Sequence, residues 1–208
     1  MDLVANFVLP DGRLLANISP KDRSYWRSPM AFHYQPTLED VLRKGTTRFA
    51  NVETRMGCMV CDVKQDAGGV TVGFRTAVAG CDPKAPTFSE TVNTVRADYV
   101  VACDGGRSPV RELHGIKMSG RKYPDQWLVI DIKCPATPRH LPYFNYYCDP
   151  KRPHLNCPQP NGHHRFEFML LPGETKEQME SPETVRRLIS KFVNPDEVEI
   201  IRALVYSF

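Results

Sequence analysis

One stretch, residues 97–111 (ADYVVACDGGRSPVR), constrains the fold of this chain more than any other. The apolar run at 99–103 predicts a buried strand, and the Asp-Gly-Gly that follows it leads into a short helix with Ser108 and Pro109 at its start. Glycines in such a turn permit positive φ and let the backbone approach a ligand closely. Free N–H groups at a helix start can bind a phosphate or a hydroxyl. Taken alone, these residues leave two interpretations open, a simple strand-to-helix turn or a ligand site.

The region before this stretch begins with strand patterns and continues into a helix. Residues 3–9 and 13–18 are predicted strands, joined by a Pro-Asp-Gly hairpin turn. After a polar loop at 19–31, Pro36 fits the first turn of a helix. Gln35 stands at the start of this helix, where its amide could either contact a ligand or cap the helix.

The helix that begins near Pro36 carries an apolar stripe. Leu38, Val41 and Leu42 are spaced i, i+3 and i+4, which predicts that they form one buried face.

Strand patterns dominate the rest of the chain. Residues 50–103 are predicted to form an antiparallel meander whose last strand, 99–103, joins a parallel sheet. Further on, an aromatic-rich strand could form a pocket wall in a second, antiparallel sheet. A helix that begins at Ser181 and a strand at 197–206 complete the pattern. The predicted fold class is therefore α/β with α+β character.

The predicted strands have the following bounds. The meander strands are predicted at 52–55, 59–64, 70–75 and 91–96. The strands of the second sheet are predicted at 127–132, 143–148 and 165–171, with a loop at 149–162 between the last two.

Composition excludes several function classes. A formal net charge of +3 is too small to indicate a nucleic-acid-binding protein. No apolar run is long enough to predict a membrane span. The odd number of cysteines, seven, predicts reduced thiols and a cytoplasmic location. Cys58 and Cys61 would face opposite sides of a strand, so no metal site is predicted.

Several of these motifs resemble one family. Residues 98–111 resemble the Asp-Gly motif of FAD-dependent aromatic hydroxylases of the p-hydroxybenzoate hydroxylase type. Residues 34–42 resemble the Gln-Pro helix of the same proteins. Residues 123–132, 148–153 and 165–174 are most similar to the 3-(3-hydroxyphenyl)propionate hydroxylase branch.

The resemblance implies a fold and an activity. It implies a partial FAD-binding Rossmann-like domain at 1–120, including the meander at 50–96, and a partial substrate-binding domain with an antiparallel sheet at 121–208. In that family, FAD is reduced by NADH or NADPH, and one oxygen atom of O2 is transferred to a phenolic ring. A phenolic acid and O2 are therefore the expected substrates. The resemblance assigns the cofactor-binding role to Gln35, Asp104, Gly105, Gly106, Arg107, Ser108 and Arg111.

Arg165 is the one substrate-binding residue that the resemblance implies, because a guanidinium on a sheet strand suits a substrate carboxylate. A surface charge is the alternative interpretation. No catalytic residue is assigned.

The chain also departs from the family. It contains no GxGxxG, the motif that binds the ADP part of FAD. The later Gly-Asp motif is absent as well. The chain is therefore expected to be a fragment that binds FAD weakly or not at all and is inactive alone. The alternative hypothesis is a non-catalytic binding or interaction module that has lost FAD and self-associates through its truncated face.

Overall fold

The computed structural model of the protein describes residues 4–20, 30–82, 85–121, 123–135, 138 and 140–207. The chain divides into two compact units. The large unit comprises Met1–Thr46 and Lys122–Phe208, and the small unit comprises Thr47–Arg121. The small unit ends at Arg121, one residue beyond the predicted boundary between 120 and 121, and the N-terminal residues group with the C-terminal ones. The division of roles between two domains stays a prediction.

The described helices and strands follow the predicted alternation in broad outline. In chain order they are β1 (Ala5–Val8), β2 (Leu14–Ile18), α1 (Gln35–Thr46), β3 (Cys58–Asp66), β4 (Gly69–Thr76), β5 (Asn93–Ala97), α2 (Pro109–Leu113), β6 (Gln126–Lys133), β7 (Phe144–Tyr147), β8 (His154–Pro158), β9 (His163–Met169), α3 (Lys176–Met179), α4 (Pro182–Ile189) and β10 (Glu199–Ser207).

The large unit is built on a seven-stranded sheet in the order β10-β6-β9-β8-β7-β1-β2. β1 pairs with β7 in parallel, and the other neighbours pair antiparallel. The predicted hairpin of β1 and β2 and the predicted α/β class are confirmed. The polar loop predicted at 19–31 lies largely outside the described residues.

One face of this sheet carries the core of the large unit. Ile130 on β6 and Phe166 on β9 are fully buried. They belong to one apolar cluster with Leu188 and Ile189 of α4. α4 begins as predicted, because the Ser181 hydroxyl accepts the backbone N–H of Thr184.

The strand β8 replaces part of the loop predicted at 149–162. Its sequence, HLNCP, lacks an apolar alternation, and yet Asn156 is completely buried. Asn156 donates to the Tyr143 carbonyl at 2.9 Å, and its side-chain oxygen accepts from the Tyr147 hydroxyl at 3.1 Å. A polar residue can therefore occupy a buried strand position here, because its hydrogen bonds are made inside the protein.

The small unit contains a three-stranded antiparallel sheet in the order β3-β4-β5, and α2 contacts β3. The predicted meander is confirmed for these strands. The strand predicted at 52–55 is wrong, because these residues are exposed and form no strand. Glu53 and Arg55 instead pair with each other at 2.6 Å.

The buried strand predicted at 99–103 is also wrong. Tyr99 is 88% exposed and Val101 is 84% exposed, and no described residue pairs with this segment in a sheet. A strand requires hydrogen-bonding neighbours on its edges. The apolar composition of residues 99–103 predicted burial. No described strand lies beside this segment to cover it.

The helix α1 is confirmed, but its predicted burial is wrong. Leu38, Val41 and Leu42 are all exposed. Their spacing defines a shared face, and no described element covers that face. No helix within the described ranges is long and apolar enough to cross a membrane.

Candidate functional site

The turn after β5 forms an open cleft of about 280 Å³ in the small unit. Four predicted cofactor-binding residues line it together. Gly106 and Arg107 form the exposed turn next to them in sequence. The lining residues predicted from the sequence are Asp104, Gly105, Ser108 and Arg111, and those not predicted include Ala102, His114 and Ile116.

The carboxylate of Asp104 is held by the start of α2. It accepts the backbone N–H of Val110 at 3.1 Å. The hydrogen bond from the Ser108 side chain, followed by that from Val110, lowers the pKa of Asp104 below its ordinary value. Ser108 also accepts the backbone N–H of Arg111 at 3.0 Å. Asp104 is therefore an ionised acceptor in a fixed position.

The glycines of this turn leave its backbone accessible. Gly105 has φ +81°, in the left-handed region that glycine adopts most readily. A Cβ built on Gly105 or on Gly106 would meet no atom within 4 Å. A bulky ligand can therefore approach the backbone at both positions.

The carboxylate of Asp104 favours hydroxyl groups over phosphate. An ionised carboxylate accepts hydrogen bonds from hydroxyls, but its charge repels a phosphate. α2 has only five residues, so it adds little to the attraction of an anion. These residues fit the ribityl chain of FAD, which carries several hydroxyls.

Gln35 belongs to the large unit, at the first position of α1. Its amide donates to the Glu39 carboxylate at 2.7 Å, one turn further along the helix. Neither predicted role of Gln35, ligand contact or helix cap, corresponds to this contact. The preceding ring, Tyr34, stacks on His163 of β9 with centroids 3.6 Å apart.

Arg165 lies on β9 and pairs with a buried carboxylate. Its Nε and Nη2 donate to the two oxygens of Asp131 at 2.7 and 3.1 Å. Arg202 of β10 donates to the same carboxylate from Nε at 3.0 Å and from Nη2 at 2.5 Å. Burial raises the pKa of Asp131, but the hydrogen bonds and charges of both guanidiniums outweigh it and leave the pKa below its ordinary value. Glu167 adds a second carboxylate, with its Oε1 3.9 Å from Arg165 Nη1, so two cations lie beside two anions.

An apolar cleft of about 360 Å³ lies in the large unit. Phe7 and Tyr146, from adjacent strands, stack there with centroids 4.8 Å apart. The aromatic pocket wall predicted for β7 is therefore present. The lining residues include Phe7, Trp127, Tyr146, His154, Leu155 and Glu167.

Glu167 was not predicted as a site residue. It alternates with Phe166 and Phe168 along β9, so it faces away from the core and lies on the same face as Arg165. In the strand pairing, Leu155 stands opposite Glu167, and Tyr146 stands opposite Leu155. The alternation of polar and apolar residues at 165–169 predicts the face on which Glu167 lies. It does not predict which strands lie beside β9, and those strands make Glu167 part of the cleft.

Other groups show no sign of metal chemistry or disulfide formation. All seven cysteines are free. Within the described ranges, no group of three or more histidine, cysteine or acidic residues could hold a metal ion.

Comparison with known protein families identifies the family of this chain. The FAD binding domain family matches residues 19–203, so this chain belongs to that family.

The most informative relatives are curated hydroxylases. The chain is 36% identical over 203 residues to the 3-(3-hydroxy-phenyl)propionate/3-hydroxycinnamic acid hydroxylase of Comamonas testosteroni, and 39% identical to that of Klebsiella pneumoniae (strain 342). Each match covers 97% of this chain but only 32% and 34% of those relatives. The chain therefore spans about a third of their length.

Solved structures show the same fold. p-Nitrophenol 4-monooxygenase PnpA from Pseudomonas putida DLL-E4 aligns with 99% of this chain and 50% of its own, with a TM-score of 0.76 and 20% identity. Aklavinone-11 hydroxylase, solved with FAD and aklavinone, aligns with 100% of this chain and 40% of its own, also with a TM-score of 0.76 and 20% identity.

Proposed function

We propose that this chain is part of an FAD- and NAD(P)H-dependent monooxygenase that hydroxylates a phenolic or aromatic acid. The observation that carries the proposal is the identity of 36–39% to curated hydroxylases along 97% of the chain. The two clefts support it, since one offers a hydroxyl acceptor and accessible backbone and the other offers aromatic walls.

The small unit would hold the polyol part of FAD. Asp104 would accept hydrogen bonds from ribityl hydroxyls, and Gly105 and Gly106 would permit close approach. Ser108 and Arg111 would keep the turn and the carboxylate in place. Arg107 would add a further contact from the same turn. The predicted role of Gln35 in FAD binding stays a prediction. When bound, FAD supplies the redox chemistry that couples NADH or NADPH and O2 to oxygen transfer.

The cleft in the large unit would hold the aromatic ring. Flat rings such as Phe7 and Tyr146 favour stacked or edge-on contacts with another ring. The apolar walls would also exclude water from the reacting ring. Arg165 would attract the carboxylate of an aromatic acid through its guanidinium.

Titration with FAD tests the cofactor part of this proposal. We expect quenching of flavin fluorescence on binding, with weak affinity because the chain has no GxGxxG. Asp104→Asn should weaken binding, because its amide is a poorer acceptor than a carboxylate. Asp98→Asn, a change at an exposed residue nearby, is the matched control. Equal FAD affinity in both variants would contradict the role of Asp104.

A second candidate is a non-catalytic interaction module that has lost FAD. The exposed apolar face of α1 favours it, since unpaired apolar surface promotes association. This module would take up no FAD and would self-associate at micromolar concentration. Size-exclusion chromatography with and without FAD separates the two candidates. A cytoplasmic location is part of both proposals, supported by the seven free cysteines.

A further inference from the structure

Among the described residues that line the apolar cleft, one carries a carboxylate, and that residue is Glu167. Its side chain is 16% exposed, so it contacts solvent only slightly. The nearest cation, Arg165 Nη1, lies 3.9 Å from its Oε1, beyond hydrogen-bonding distance. No described residue donates a hydrogen bond to this carboxylate. A half-buried carboxylate that receives no hydrogen bond from a described residue can gain one from a donor on a bound ligand.

Two other polar groups of the cleft already have partners among the described residues. The Tyr147 hydroxyl donates to Asn156 at 3.1 Å. His154 Nδ1 lies 2.8 Å from the carbonyl oxygen of Arg152. Among the described lining residues, Glu167 carries the one carboxylate, and a charged acceptor makes stronger hydrogen bonds than a neutral hydroxyl does.

The charges around Glu167 determine which donor suits it. Burial raises the pKa of Glu167, the charge of Arg165 opposes that shift, and the charge of Asp131 adds to it. The guanidinium of Arg165 would repel a cationic donor such as an ammonium group. A neutral hydroxyl on an aromatic ring satisfies both the apolar walls and the acceptor. The titratable and charged groups that face this position are Arg165 on β9, Asp131 on β6, Cys157 on β8 and Tyr146 on β7, with Arg202 on β10 bound to Asp131.

We propose that Glu167 determines specificity in the aromatic cleft by accepting a hydrogen bond from the hydroxyl of a neutral phenol. This inference rests on the proposed function, since it requires that the cleft binds a ring. It assigns the phenolic hydroxyl, rather than the ring alone, as the group that the large unit selects.

The number of protons taken up on binding differs between a neutral phenol and a phenolate, and this difference can be measured. A neutral phenol binds without exchange of protons and keeps its O–H bond. A phenolate would lie beside the Glu167 carboxylate, and the two anions repel each other. A phenolate must therefore take up one proton from solvent as it binds, which forms its O–H bond without any transfer of electrons.

Binding of p-nitrophenol to the purified chain tests the proposal, because its phenolate is yellow and its neutral form is not. Nitrobenzene, which lacks the hydroxyl, is the matched ligand. We expect the wild-type chain to bleach the yellow colour on binding and to lose about tenfold in affinity per pH unit above the pKa of the ligand. In Glu167→Gln, the amide N–H can donate to the phenolate, so the bound ligand should stay yellow and the affinity should no longer fall with pH.

Three comparisons make the outcome decisive. Glu167→Asp retains the negative charge and should retain the wild-type pH dependence, even if Glu167→Gln folds poorly. Glu177→Gln, on the exposed surface of α3, should behave as the wild type does. Nitrobenzene should bind the wild type and Glu167→Gln within about twofold of each other, because it makes no hydrogen bond to this position.

The results that overturn the proposal differ from those that overturn the proposed function. If nitrobenzene binds and the pH dependence for p-nitrophenol is the same in the wild type and in Glu167→Gln, the role of Glu167 is wrong while the cleft still binds a ring. If neither ligand binds the wild-type chain, the ring-binding cleft is wrong, and the role of Glu167 is wrong with it.

Discussion

The two clefts of this protein are built in opposite ways. The cleft around Asp104 is formed by consecutive residues of one turn, and its glycines are open to solvent. The cleft around Glu167 is formed largely by residues from separate strands of the large sheet, whose other face carries the buried core. A site made by one short segment depends on the conformation of that segment, whereas a site made by a sheet depends on the whole core. The two should therefore respond differently to mutation and to pH.

The largest expected effect follows from removal of core volume beneath the aromatic cleft. Phe166 is fully buried on β9, between Arg165 and Glu167. Phe166→Ala should lower the free energy of unfolding by about 3–5 kcal/mol, because it removes apolar contacts and leaves a cavity. Tyr99→Ala, at a residue that is 88% exposed, should change it by less than about 0.5 kcal/mol. Urea unfolding followed by circular dichroism measures both, and similar losses would contradict the assigned core.

Acid should destabilise the large unit through His164. Burial, with a smaller contribution from the charge of His140, lowers the pKa of His164 from 6.5 to about 4. The unfolded chain therefore binds more protons between these values, and stability should fall by up to about 3 kcal/mol as the pH drops from 6.5 to 4.

Two variants isolate this effect. His164→Gln removes the titrating ring and should flatten the dependence of the unfolding free energy on pH over that range. His114→Gln, at an exposed residue of the Asp104 cleft, should leave the dependence as it is. An unchanged slope in His164→Gln would show that other groups cause it.

The smallest expected effect concerns the backbone of the Asp104 turn. Gly105→Ala forces a side chain onto φ +81° and should cost about 1 kcal/mol, even though the space is open. Gly106→Ala has the same open space without the positive φ and should be close to neutral. Thermal unfolding of both variants compares them, and equal costs would argue against a strained turn.

The sequence allowed good prediction where the pattern is local. The motif at 104–111 identified residues that line one cleft together. Ser181 likewise predicted the start of α4, since a cap is a contact between near neighbours in the chain.

Features that depend on distant partners were predicted less well. Glu167 lines the cleft because β8 and β7 lie beside its strand, and the pattern of a single strand does not predict these neighbours. The segment 99–103 and the α1 stripe had the composition of buried structure, but burial requires a covering element, which composition does not supply. β8 was missed because the hydrogen bonds of Asn156 offset its polarity, and these come from residues up to 13 positions away.

The most direct test of the central claim is oxygen transfer by a chimera. The 203 residues of this chain that match the Comamonas testosteroni hydroxylase would replace the corresponding segment of that enzyme. We predict that the chimera, with FAD bound and either NADH or NADPH supplied in air, converts a phenolic acid into a product heavier by one oxygen atom. A folded chimera that contains FAD but returns the phenolic acid unchanged would contradict the claim that this chain encodes part of an aromatic hydroxylase.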